Sequence, residues 1–282
     1  MKVYARPEPC EHGERMKISM WISEVRRRLG GGLSTLAACL FAAACAAPGG
    51  IDTTFHSVSQ DSRVQFLVIH ITTEDFAHSL ATLTLGPVSA HYLVRDDPVI
   101  VYRLVDEDRR AWHAGDSSWQ GNTQLNSASI GIEIVNRGPH DGTWDDFPPA
   151  QVDAVVALVK DIVRRHNIRA DRIVGHSDIA PQRKLDPGPR FPWKRLADEG
   201  LIPWPDSAQV AAKISAYNAA LPEVLWFQQH LDRLGYDTPF TGTLDRETRN
   251  VIAAFQMRYR PQTWDGTPDA ETAAILDVMA PR

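Results

Sequence analysis

Short apolar and β-branched runs alternate with two predicted helices, and this alternation is the feature that most constrains the fold. The strand candidates are residues 64–70, 91–94, 99–105, 129–135 and 173–175. A short helix is predicted over 75–85. A longer one opens at Pro148-Pro149, where valines and isoleucines recur at helical spacing. The order strand, helix, strands, helix, strand predicts an α/β fold with a mixed central β-sheet flanked by helices.

A second, smaller unit is predicted after Pro203 and Pro205, which break the pattern. Three short amphipathic segments follow, near residues 222–234, 245–259 and 269–279. They predict a small C-terminal three-helix domain. The expected organisation is a sheet domain over 62–205, a linker over 206–221 and a helical domain over 222–282.

The first 45 residues have the layout of an export signal. Arginines 26–28 precede an apolar run, residues 33–44, which is short for a membrane span of about 20 residues. Three alanines then stand directly before Cys45, an arrangement that resembles the cleavage box of bacterial lipoproteins. In that class Cys45 carries the lipid, and Ala46 after it indicates the outer membrane, facing the periplasm. Residues 46–61 are then expected to be a tether.

Two alternatives to this signal stay open. Cys39 also ends a lipoprotein-like box, although little apolar sequence precedes it. The other alternative is an ordinary cleaved signal with incidental cysteines.

Cysteine content and charge exclude several kinds of chemistry. All three cysteines lie in the first 45 residues, so the predicted domains contain no disulfide, thiolate nucleophile or cysteine-rich zinc site. A net charge of −5 gives no electrostatic basis for binding nucleic acid. We expect membrane contact through a lipid anchor only, and a monomer, since the domains look self-contained.

His70, His176 and Asp186 are the candidate metal ligands. Each histidine ends or follows a predicted strand, and Asp186 precedes a Pro187-Gly188 turn that fixes the direction of its carboxylate. Two imidazoles and a carboxylate, with a fourth position open to water, are typical of a catalytic zinc site. Spacing leaves the alternative that these are packed or surface side chains, because the chain has ten histidines.

Six short motifs surround these residues in a fixed order. They are Val68-Ile69-His70, residues 88–92, residues 111–115, Gly131-Ile132-Glu133, residues 175–181 and residues 184–188. Together they resemble the type 2 N-acetylmuramoyl-L-alanine amidases, a superfamily of zinc peptidoglycan amidases and peptidoglycan recognition proteins, over residues 62–200. Ile71 and Thr72 depart from the usual aromatic and small residues, which affects the shape of the pocket.

The resemblance implies zinc-dependent hydrolysis of the amide bond between N-acetylmuramic acid and L-alanine, in peptidoglycan or its muropeptide fragments. It implies that Zn²⁺ is held by His70, His176 and Asp186. Glu133 would be the catalytic acid/base, and Lys184 would stand beside the developing charge.

Trp112 and His113 are the candidate substrate-binding residues. His113 follows Trp112 in the third motif and either lines the substrate cleft or is a packed structural histidine. His91 is interpreted as structural.

The C-terminal segments carry a second resemblance. Residues 225–231, Leu234-Gly235-Tyr236 and Ala254-Phe255-Gln256 resemble the small three-helix peptidoglycan-binding domain of wall hydrolases. The alternative is a packing domain that completes the core of the first.

Two other functions of the whole chain stay open. One is a non-catalytic wall-binding protein. The other is a zinc peptidase; the sequence contains no His-Glu-x-x-His motif, so such a peptidase would belong to a class that does not use that helix.

Overall fold

A five-stranded mixed sheet forms the centre of the computed structural model, which describes residues 51–280. Its strands are β1 (Phe66–Ile71), β2 (Tyr92–Val94), β3 (Val101–Arg103), β4 (Ser129–Ile134) and β7 (Ile173–Gly175). They lie in the order β3-β2-β4-β1-β7, and only β3 runs antiparallel to its neighbour. A separate hairpin pairs β5 (Pro139–His140) with β6 (Thr143–Trp144).

Helices cover both faces of this sheet. The helices of the sheet domain are α1 (Phe76–Leu85), α2 (Leu125–Ala128), α3 (Pro149–His166), α4 (His176–Ile179) and α5 (Trp193–Asp198), with a 3₁₀ turn at Ala170–Arg172. The C-terminal helices are α6 (Ser207–Ala219), α7 (Val224–Leu234), α8 (Arg246–Tyr259) and α9 (Ala270–Met279). The predicted fold class is confirmed.

The expected linker over 206–221 contains a helix. Pro203 and Pro205 do interrupt the chain, but Asp206 then caps α6, because its carboxylate accepts a hydrogen bond from the Gln209 N–H at 2.9 Å. Helix α6 packs along α9, where Lys213 Nζ lies 2.7 Å from the Asp277 carboxylate. Hairpin β5–β6 and helices α2, α4 and α5 were also not predicted, because each is too short to show a period.

Alternate residues of β1 pack into two different hydrophobic clusters, as the pleat of a strand requires. Leu67, Ile69 and Ile71 pack with the apolar face of α3. Phe66 and Val68 pack on the other side, in a cluster that includes Phe227, Phe255 and Leu276 of the C-terminal helices. Sheet and C-terminal helices therefore share one hydrophobic core within the compact unit that begins at residue 59.

The predicted export signal lies outside the described residues, as do Cys39 and Cys45. Residues 51–61 of the expected tether contain neither helix nor strand, and all are exposed. Over residues 51–280, no helix has the length and apolar character needed to cross a membrane.

A partly buried ion-pair network ties strand β2 and the segment after β3 to α3. The Glu107 carboxylate accepts hydrogen bonds from the Tyr92 hydroxyl at 2.6 Å, from His166 Nε2 at 2.8 Å and from the Arg165 guanidinium. Burial raises the pKa of Glu107, but these donors outweigh burial and lower the pKa from 4.5 to about 2.

We expect Glu107→Gln to destabilise the protein in a pH-dependent way. A carboxylate with a depressed folded-state pKa stabilises the fold fully above its unfolded pKa of 4.5 and loses this contribution as pH falls towards about 2. At pH 7 the variant is therefore expected to have an unfolding free energy up to about 3 kcal/mol below that of the parent. Urea unfolding at pH 7, 5 and 3 should show the variant converging on the parent at the lowest pH. The exposed Asp108→Asn is the control, and a deficit equal at all three pH values would contradict the assignment.

Candidate metal centre and active site

Three ligand atoms converge at the carboxyl ends of two neighbouring parallel strands. His70 lies near the end of β1, and His176 directly follows β7. The two Nδ1 atoms are 2.9 Å apart, and Asp186 Oδ2 lies 3.3 Å from the first and 3.1 Å from the second. The Asp186 carbonyl accepts a backbone hydrogen bond from Ser177 at 2.7 Å, which fixes one ligand segment against the other.

These separations fit a zinc-sized ion. Zinc bonds of about 2.0–2.1 Å at tetrahedral angles place ligand atoms roughly 3.3 Å apart. The observed separations of 2.9, 3.1 and 3.3 Å are close to that value. The three predicted ligands are thus brought together, and they are the metal-ligand cluster found among the described residues.

Hydrogen bonds fix the tautomer of His176. Its Nε2 lies 3.1 Å from the Ala114 carbonyl oxygen, which can only accept, so Nε2 carries the proton. Nδ1 therefore presents its lone pair to the other two ligands.

A longer chain of hydrogen bonds fixes the tautomer of His70. The Ser129 hydroxyl donates to the Leu125 carbonyl, so its oxygen must accept from His113 Nε2, 3.2 Å away. Burial holds the pKa of His113 well below 6.5, so the ring is neutral and its Nδ1 is an acceptor. That atom lies 3.0 Å from His70 Nε2, which must donate. His70 Nδ1 is left without a proton.

Two imidazole lone pairs and a carboxylate oxygen thus point at one another. Burial lowers the pKa of His70 to about 4, so this ring is also neutral at pH 7. Lone pairs so close together repel unless a cation lies between them. The donor set therefore matches a bound divalent metal in charge and direction as well as in distance.

His113 lies behind His70. Its ring is 8% exposed and packs against β4 at Gly131, where an added Cβ would lie 2.5 Å from the ring. Glycine is therefore required at that position. His91 is buried as predicted, with Nδ1 accepting from the Gly131 N–H at 3.0 Å. The hydrogen bond to His70 gives His113 a positioning role that spacing did not reveal.

Glu133 lies beside His70 in the sheet, because the two residues are register partners in the parallel β1–β4 pair. Its Oε2 is buried and has no hydrogen-bond partner. Burial raises the pKa of Glu133 to about 8; the negative charge of Asp186 adds to this effect and Lys184 opposes it. A carboxyl with one buried, unpartnered oxygen and a pKa of about 8 is suited to accept and return a proton.

One cavity of about 210 Å³ joins these groups. It is lined by the predicted site residues Trp112, His113, Glu133, His176, Lys184 and Asp186. Trp112 lies at the rim of the cavity and is 50% exposed, with the Arg110 guanidinium 4.0 Å from the centre of its ring. Ile71 and Thr72 also line the cavity, so the two departures from the family pattern do lie in the pocket wall.

Helix α1 forms a wall that the sequence did not indicate. Ser79, Thr82 and Leu83 line the cavity from this helix. The sequence did predict the helix itself, which follows the strand that carries His70. Its amphipathic pattern does not show which strand end the helix covers.

A buried network from the C-terminal helices reaches the His176 segment. The Asp178 carboxylate accepts from the Gly175 N–H at 2.8 Å, from Arg258 at 2.6 Å and from the Tyr236 hydroxyl at 2.7 Å. Arg258 also donates to the Ile173 carbonyl at 2.9 Å. The segment on either side of His176 is thus held by two side chains from outside the sheet domain.

Comparisons with known proteins match both parts of the chain. The sequence pattern of the family described as N-acetylmuramoyl-L-alanine amidase matches residues 60–189, and that of a peptidoglycan binding domain matches residues 221–276. The N-acetylmuramoyl-L-alanine amidase AmiD of Escherichia coli K12 is 43% identical over 263 residues, covering 86% of this chain and 95% of the relative. The 1,6-anhydro-N-acetylmuramyl-L-alanine amidase AmpD of Enterobacter cloacae is 45% identical over 110 residues, 39% of this chain and 55% of the relative.

Solved structures show the same architecture. AmpDh3 of Pseudomonas aeruginosa superposes with a TM-score of 0.76 at 38% identity, covering 81% of this chain and 96% of that one. AmiD from E. coli gives a TM-score of 0.72 at 43% identity, covering 81% of this chain and 93% of that one. That structure is a complex with the substrate anhydro-N-acetylmuramic acid-L-Ala-D-gamma-Glu-L-Lys.

We expect Arg258→Met to weaken both the fold and the metal site. Removing one partner of a buried ion pair leaves an uncompensated carboxylate at Asp178 and costs about 3–5 kcal/mol. Because that carboxylate anchors the segment that carries His176, zinc affinity should fall as well. Urea unfolding and zinc competition with a chromophoric chelator measure the two effects. Arg249→Met, exposed on the same helix, is the control, and an unchanged unfolding midpoint for Arg258→Met would contradict the network.

Ser129→Ala should lower zinc affinity about tenfold, a typical effect of removing a group that orients a ligand. Without the serine oxygen, His113 Nε2 loses its acceptor, and the proton that sets the His70 tautomer is no longer fixed. Zinc competition measures the effect. Ser127→Ala, on the same short helix–strand segment but outside the hydrogen-bond chain, should bind zinc like the parent. Equal affinities for all three proteins would contradict the tautomer assignment.

Proposed function

The chain belongs to the N-acetylmuramoyl-L-alanine amidases, and we propose that it uses zinc to hydrolyse the amide bond between N-acetylmuramic acid and L-alanine in peptidoglycan fragments. One observation carries the proposal: three converging ligand atoms stand beside a buried carboxyl that has no partner of its own. The family resemblance stated from the six motifs is confirmed.

His70, His176 and Asp186 would hold the zinc ion. When bound, zinc supplies Lewis-acid chemistry, which polarises a carbonyl and makes water acidic enough to yield hydroxide at neutral pH. Two of the ligands reach it through nitrogens whose lone pairs are fixed by hydrogen bonds.

Glu133 would move the proton. Its carboxylate takes a proton from the attacking water and returns it to the amine of L-alanine as the amide bond breaks. The surrounding protein keeps the pKa of this group near neutrality, so both directions of transfer are accessible at one pH.

Lys184 lines the same cavity. Its ammonium group would stabilise the negative charge that develops on the substrate carbonyl oxygen in the transition state, where a preorganised charge is most effective. Trp112 at the rim would contact the sugar or the stem peptide.

Anhydro-muropeptides are the fragments we propose as substrates. Relatives named for 1,6-anhydro-N-acetylmuramyl-L-alanine amidase activity support this class, as does the structure of a relative with an anhydro-N-acetylmuramic acid peptide bound. The match of residues 221–276 to a peptidoglycan binding domain supports action on the polymer as well.

We also propose that the chain is exported and anchored by a lipid at Cys45 in the outer membrane, facing the periplasm. The support is the sequence pattern of residues 26–45, together with the match of residues 221–276 to a peptidoglycan binding domain. Mass spectrometry of the mature N-terminus distinguishes acylated Cys45 from acylated Cys39 or an unmodified start.

The test is a hydrolysis assay on defined muropeptides, with products identified by mass. We expect release of a stem peptide that begins with L-alanine, and loss of that release on chelation. Glu133→Gln should reduce kcat by about 10²–10⁴-fold, as removal of a general acid/base does, while retaining zinc.

The control is Glu247→Gln, an exposed carboxylate of α8. Intact muropeptide under every condition, with protein still bound to wall material, would favour the non-catalytic wall-binding alternative. Cleavage within the stem peptide would favour a zinc peptidase. Full activity in Glu133→Gln would remove the acid/base assignment.

A further inference from the structure

A second cavity, of about 510 Å³, lies between hairpin β5–β6, residues 189–190 and the loop that joins α8 to α9. We propose that it binds a glycan segment of peptidoglycan, an inference that rests on the proposed function and deepens it. The cavity is called the tryptophan groove here and is defined by Thr143, Trp144, Arg190, Pro261, Gln262 and Trp264. Its volume lies within the roughly 300–1,000 Å³ typical of small-ligand sites.

Two tryptophans give the groove its apolar walls. The rings of Trp144 and Trp264 stand nearly perpendicular, with an interplanar angle of 83° and centroids 6.3 Å apart. Both side chains are partly exposed. A pyranose ring has faces of C–H groups, which pack well against an aromatic face, and a rim of hydroxyl groups that needs polar partners.

Polar groups at the edge of the groove match that rim. Arg190 is 58% exposed and supplies guanidinium donors, and the exposed Gln262 amide can both donate to and accept from hydroxyl and acetamido groups. Asp146 lies 3.5 Å from Arg190 and offsets its charge. A nearly neutral groove favours the uncharged amino sugars of the glycan over the carboxylates of the stem peptide.

The groove adjoins the loop that carries the metal ligand Asp186. Gly188, two residues further on, has a φ of +82°, and an added Cβ there would lie 2.2 Å from the Trp144 ring. The indole therefore packs directly on this turn.

Both matched families contribute to the groove. Trp144 lies in the segment that matches the amidases, and Trp264 lies in the segment that matches the peptidoglycan binding domain. Peptidoglycan is the ligand chemistry common to the two. A site built jointly by both segments is therefore expected to take a part of that polymer.

The test is binding of a peptide-free glycan, a tetramer of N-acetylglucosamine, to the zinc-loaded protein by isothermal titration calorimetry. We expect Trp264→Ala to weaken binding about tenfold or more, because one aromatic wall is removed. Phe240→Ala is the matched control, since Phe240 is an aromatic residue of the helical part that is 57% exposed and does not line the groove. Gln262→Ala, which removes only an exposed amide, gives a second variant in case Trp264→Ala does not fold.

Equal binding by the parent, Trp264→Ala and Gln262→Ala would overturn the proposal. Binding of a free stem peptide that depends on Trp264, without binding of the tetramer, would overturn the choice of glycan. The tetramer contains no amide bond to L-alanine, so failure of the amidase assignment would leave this result unaffected. With the amidase active, Trp264→Ala should raise KM for intact peptidoglycan several-fold more than KM for a soluble muropeptide.

Discussion

The parallel pairing of β1 with β4 on one side and β7 on the other is the constraint on which the rest of the structure depends. Parallel neighbours bring their carboxyl ends to one edge of the sheet, so His70, Glu133 and His176 meet there although they are far apart in sequence. The register matters as much as the pairing. A slip of one residue would turn His70 to the opposite face and place Ile69 at the metal site.

Around this edge, the polar groups are arranged in two contrasting ways. The ligand histidines have every remaining hydrogen-bonding atom satisfied, through Ala114 on one side and through His113 and Ser129 on the other. The Glu133 carboxyl, in contrast, keeps one buried oxygen unsatisfied. The two histidines are thus held in fixed orientations, whereas the carboxyl that we propose as the acid/base has an oxygen that is free to exchange a proton.

The sequence predicted most of the fold because its signals were local. The apolar run that ends at His70, the amphipathic α3 and the three C-terminal helices each carry their own periodicity. The motifs also identified the three side chains that converge at the edge of the sheet. What could not be predicted depends on contacts distant in sequence. Helix α6 has few apolar residues along one side, and these residues are buried or partly buried by packing against α9. The roles of His113 and Arg258 depend on partners 43 and 80 residues away.

The common core beneath Phe66 and Phe255 has a mechanical consequence. A binding module on a flexible hinge would let the catalytic centre sweep through a volume around each attachment point. Here the helices and the sheet are packed into one body, so the C-terminal helices and the cluster of His70, His176 and Asp186 keep a constant separation and orientation. For the proposed amidase, this rigid packing means that the tryptophan groove and the zinc site would engage the polymer at a fixed spacing. The bonds that can be cleaved would then be selected by their distance from the point of attachment.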